Sequence, residues 1–135
     1  MFDLENLNPS VRFYWEEDGE WVDFRLLPPE KAEEFRQAVG IKQKAEYRKV
    51  SKGPAQRFEY FDVTEQKLKA FSELQIDYQI ADWHLIDPKN NKIPCTKENK
   101  VKLVNGSPVF SSWMERCLAQ MEQDAEMIKE EEEKN

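Results

Sequence analysis

The chain has 135 residues and a formal net charge of −7, from 20 Lys and Arg against 27 Asp and Glu. That acid excess excludes a general attraction for phosphate backbones, so no nucleic-acid partner is expected. An aromatic content of 12%, with four tryptophans, is too high for a disordered chain although 35% of the residues are charged, so a packed core under a heavily charged surface is expected.

The length fits one domain, read here as residues 1–128 followed by an acidic, disordered tail 129–135. In chain order, the clearest signal is VRFYWEEDGEWVDFRLL, where Asp18-Gly19 is a hairpin turn between alternating runs. With Asp18 and Gly19 as the loop, Trp15 faces Val22, Phe13 faces Phe24 and Val11 faces Leu26, which makes one side of the ribbon wholly apolar. The other side pairs Tyr14 with Asp23 and Glu16 with Trp21, leaving Trp21 as a large aromatic that is either covered by another element or open to a partner.

Pro28 and Pro29 end the second strand and open a short helix whose Ala32, Phe35, Ala38 and Val39 face the core, with Gly40 closing it. EYRKV and RFEYFDV around Ser51-Lys52-Gly53-Pro54 read as a second hairpin, an edge ribbon. Its basic residues Lys42, Lys44, Arg48, Lys49, Lys52 and Arg57 are interleaved with Glu46 and Glu59, which weakens them as a patch. Asp62 precedes Glu65 at a capping-box spacing for a helix carrying Leu68, Phe71 and Tyr78. That helix is expected to run to about Ala81, with Ile76, Ile80 and Trp83 as a second stripe, although IDYQIADWHLI also reads as an extended run.

Thr96 is a natural N-cap for a helix through Val104 with Gly106 as its stop, and Ser107-Pro108 starts the next helix. In that last helix Phe110, Trp113, Met114, Cys117, Leu118, Met121, Ala125 and Ile128 recur at three- and four-residue steps. Beyond Ile128 the run KEEEEKN has nothing to bury and is expected to fray. The fold class expected is therefore α+β, an N-terminal β-hairpin and a second hairpin packed with several helices.

DWHLIDPKNNKIPCTKENK invites a search for chemistry, since it holds the sole histidine, His84, and one of two cysteines, Cys95. A nucleophilic thiol needs a lowered pKa and an oriented base, and Cys95 between Pro94 and a helix cap reads more simply as a small buried hydrophobe. One histidine and two cysteines are too few for a zinc cage. Asp87, Lys89 and Asn91 lack the glycine and closing glutamate of a calcium loop and read as a surface turn. Four glycines, each with a turn or cap role, leave none for a phosphate-binding loop. No enzyme activity and no cofactor are expected. MFDLENLNPS has neither a basic n-region nor an apolar run, and no stretch approaches the ~20 apolar residues of a membrane helix, so a reduced, cytoplasmic setting away from membranes is expected.

The block from Ile80 to Gln120, with the hairpin upstream, resembles the tail assembly chaperones of tailed phages and prophages. The matching positions are Asp82-Trp83 before a turn, Ile93 to Thr96 with Glu98 and Asn99, and Ser107, Pro108 and Phe110. The resemblance implies a factor in the cytoplasm of the infected bacterium that binds the tape-measure protein, keeps it soluble and helps recruit tail-tube protein around it. A homo-oligomer is compatible with this. On that reading Trp21, Met121, Met127 and Ile128 are the candidate partner-binding residues, the last three from the Met-bearing final helix. The rival class is a structural virion component or an acidic prophage-encoded inhibitor of a host protein.

Overall fold

The computed structural model describes residues 4–17 and 19–134. Its elements in chain order are β1 (Val11–Tyr14), β2 (Trp21–Phe24), α1 (Pro29–Val39), β3 (Lys42–Arg48), β4 (Gln56–Asp62), α2 (Glu65–Gln79), β5 (Ile80–His84), α3 (Lys97–Gly106) and α4 (Pro108–Lys134). The chain divides into two compact units, Met1–Leu27 with Ile76–Asn135, and Pro28–Gln75.

In the first unit the apolar alternation forms an antiparallel hairpin, but two residues out of the expected register: Val11 lies opposite Phe24, Arg12 opposite Asp23, Phe13 opposite Val22 and Tyr14 opposite Trp21. An even shift keeps every side chain on its face, so the apolar side survives. The Trp15 N–H donates to the Glu20 carbonyl at 2.9 Å and closes a loop wider than two residues. Asp18, half of the expected turn, lies outside the described residues. Two contacts favour this register. Opposite Asp23, the Arg12 guanidinium makes two hydrogen bonds, at 2.8 and 3.2 Å. Trp15, now beyond the strand, meets Trp113 edge-on at 5.2 Å.

Strand β5 joins the other edge of β2, giving the order β1-β2-β5. The helix expected to reach Ala81 stops at Gln79, and the extended alternative describes residues 80–84. Trp83, expected in the second stripe of that helix, is a strand residue whose indole N–H donates to the Ile93 carbonyl at 2.8 Å. Ile80 and Trp83 both point into the core, 0% and 1% exposed. In a regular strand, residues three apart face opposite ways. Here the register shifts between Asp23 and Phe24, where Ile80 rather than Ala81 pairs with Phe24, and the bulge turns both side chains inward.

The core is built from Val22 and Phe24 of β2, Ile76 of α2, Ile80 and Trp83 of β5, Leu85, and Phe110, Met114, Cys117 and Met121 of α4. The three- and four-residue steps of α4 deliver its four contributions to one side. Phe24, Phe110 and Trp113 contact one another with ring centroids 5.5 to 6.4 Å apart. Local chemistry sets the helix starts: the Thr96 hydroxyl accepts from the Asn99 N–H at 3.2 Å, and the Ser107 hydroxyl from the Phe110 N–H at 3.2 Å. Lys100 is buried and ties α3 to the end of α2, its Nζ donating to the Asp77 carbonyl and carboxylate at 3.1 Å each.

The second unit is thinner. In α1 the turn after Val39 closes through Gly40 at φ 81°, a left-handed position suited to glycine, with the Ile41 N–H reaching the Arg36 carbonyl at 2.8 Å. The expectation that α1 faces a core is corrected: none of its residues is buried, Ala38 is exposed, and Ile41 just beyond it is the unit's buried apolar residue among those described. Strands β3 and β4 pair from Lys42 opposite Asp62 to Arg48 opposite Gln56 and form a separate two-stranded sheet. Thr64, and not Asp62, caps α2, accepting from the Lys67 N–H at 3.2 Å. Asp62 is engaged elsewhere, in an ion pair with Lys44 at 3.0 Å.

Candidate functional site

Two surfaces of the first unit collect the residues with interaction chemistry. The first is the outward face of the three-stranded sheet. Alternation that sends Val22 and Phe24 inward places Arg12, Tyr14, Trp21, Asp23 and His84 on this side. The Arg12 guanidinium lies 3.5 Å from the Trp21 ring centroid, and the His84 ring stands 6.2 Å from Trp21 on the other side. Trp21 is thus half-covered, by two cationic or polar side chains instead of an apolar element. The hydrogen bonds that Arg12 donates to the Asp23 carboxylate hold its guanidinium protonated well above its ordinary range. Tyr, Trp and Arg at this density are the residue types enriched where proteins bind one another.

The second surface is the end of α4. Met121 sits in the core at 8% exposure, so it is packing and not a contact surface. From Glu122 onward the described side chains are exposed, with Met127 and Ile128 at 56% and 58%. Helical backbone nevertheless continues to Lys134. Glu and Lys, which make up most of this stretch, are good helix formers.

An open apolar trough of about 220 Å³ lies between the sheet loop and α4, lined by Trp15, Leu85, Ile93, Phe110 and Trp113 among others. Sequence reasoning missed it, because its lining comes from segments far apart in the chain that no local pattern links.

The residues of DWHLIDPKNNKIPCTKENK are dispersed by the fold. His84 is exposed on the outer sheet face beside Trp21, whereas Cys95 packs against the core on the other side of the strand. Burial pushes the Cys95 thiol up, opposed by the charge of Lys100, which is the reverse of what a nucleophile needs. Asp87 organises the connecting turn, its Oδ1 accepting from the Lys89 and Asn91 N–H groups at 2.9 Å each, with Asn90 at φ 66°. Among the described residues no three His, Cys, Asp or Glu side chains come together as a metal site, and no helix is long and apolar enough to cross a membrane.

Four helices and two small antiparallel sheets among the described residues, opening on the β1-β2 hairpin, define an α+β protein. No protein-family model matches the chain. No curated protein matches it, and no solved structure does either.

Proposed function

We propose that the protein is a non-enzymatic binding factor of the tail assembly chaperone kind, which engages the tape-measure protein and assists assembly of the tail tube. The observation that carries this reading is the free end of α4. Residues 122–134 extend roughly 20 Å past the last core residue at the rise of an α-helix, and they present Met127 and Ile128 to solvent. An adaptable methionine beside a branched aliphatic suits the apolar stripe of a client helix, and full burial of such side chains stabilises a complex by about 1.5–3 kcal/mol each. The acidic residues around them favour clients whose apolar stripe is flanked by Lys or Arg. The non-catalytic part of the reading is supported by Cys95 and His84 standing on opposite sides of the sheet.

Co-expression with the tape-measure protein encoded in the same genome tests the reading. A soluble complex that is lost in M127E/I128E, with the circular dichroism spectrum preserved, is the expected result. Absence of a complex, or a complex indifferent to that pair of changes, counts against it.

A further inference from the structure

The second unit offers a surface that the client reading does not use. Strands β3 and β4 form a sheet of their own, so each has one edge unpaired by another strand among the described residues. In β4 every residue from Gln56 to Phe61 is exposed, with Phe58 at 41% and Tyr60 at 42%. The two edges differ in chemistry. β3 carries Lys42, Lys44 and Arg48, and lysine-rich edges discourage strand addition. β4, sequence QRFEYFD, has no lysine and three aromatics of high strand propensity.

We propose that β4 is a self-association edge: it pairs antiparallel with β4 of a second copy, across a two-fold axis centred on Phe58, to make one four-stranded sheet. The register follows from charge. Two-fold antiparallel pairing in one sheet sets side chains of the same face opposite each other. With the axis at Phe58, Phe58 meets its own copy, Arg57 lies opposite Glu59 of the second chain, and Glu59 opposite its Arg57. Moving the axis one residue toward either end sets Arg57 against Arg57, or Glu59 against Glu59, which is destabilising. Within one strand Arg57 and Glu59 already pair at 3.2 Å, with both side chains more than half exposed. Their charges therefore stand on the same face, available to close a four-membered network across the axis. An isologous edge also closes on itself, so association stops at the dimer.

Sedimentation velocity over a concentration series at low ionic strength tests this. The wild-type chain is expected to show a monomer–dimer equilibrium. Arg57→Glu and Glu59→Arg are each expected to raise the dissociation constant about tenfold, because each turns two attractive cross-strand pairs into two repulsive ones. The double variant R57E/E59R restores opposite charges and should recover the wild-type constant. Both positions are exposed, so a circular dichroism spectrum unlike wild type is not expected in any of the three. Phe58→Cys should give an oxidised dimer that wild type does not, since directly opposed residues have Cα atoms about 4.5–5.5 Å apart, within disulfide reach. A monomer at every concentration, an oligomer unchanged by the single reversals, or a double variant as weak as the singles would overturn the proposal.

Discussion

Trp83 concentrates the chemistry of the first unit in one side chain: it fills the core at 1% exposure and hands its indole proton to the Ile93 carbonyl at 2.8 Å, fixing the connector that returns from the Asp87 turn. Trp83→Phe removes volume and leaves that carbonyl without its donor, so unfolding free energy from urea titration should fall by about 2–4 kcal/mol. Cys117 supplies a prediction with a definite pH window. It is 5% exposed, and burial pushes its thiol from 9.0 up to about 11. A folded-state value above the unfolded one means that the contribution is fully present below pH 9 and is lost as pH rises through about 11. The stability gap between wild type and Cys117→Ala should therefore narrow as denaturant titrations move from pH 8 to pH 11. A constant gap would contradict the burial argument.

At the scale of elements, three helix ends were legible, whereas Thr64 rather than Asp62 caps α2 and the hairpin loop is wider than a two-residue turn. Thr96, Ser107 and Gly40 act through atoms within a few residues, so their positions in the chain announced the helix ends. Thr96→Ala should cost about 1 kcal/mol, read by thermal or urea unfolding. The hairpin faces were also readable, but its register turned on Arg12 meeting Asp23 and on Trp15 meeting Trp113, and the second of these joins residues remote in sequence. The α2 to β5 junction misled for a geometric reason. Ile76, Ile80 and Trp83 have helical spacing, and a bulge in β5 reproduces with a strand the inward orientations that a helix would have given. The candidate contact residues were blurred in the same way, since the stripe from Phe110 to Ile128 runs unbroken past Met121, and nothing local marks where the helix loses its partner. Ending the chain after Asp124 should thus leave the unfolding free energy within about 0.5 kcal/mol of wild type. A larger loss by urea titration would mean that the end of α4 packs within the molecule.

For the molecule as a whole, the two units differ in how much they bury. Ten core residues belong to the first, while the second has Ile41 as its buried apolar residue among those described and leaves Tyr47 at 67% exposure. Amide exchange followed by mass spectrometry should accordingly show residues 28–75 exchanging faster than the strands and α4 core of the first unit. Equal protection would contradict the burial difference. The division also interrupts one unit with the other, Met1–Leu27 and Ile76–Asn135 standing on either side of Pro28–Gln75. On the ribosome this imposes an order. Val22 and Phe24 emerge early, but Trp83, Phe110 and Met121 that cover them follow on the order of ten seconds later at ordinary rates of synthesis. The contiguous stretch 28–75 is complete well before then, so during translation the nascent chain carries an uncovered apolar ribbon, and its exposure to aggregation or to host folding factors is set by elongation speed.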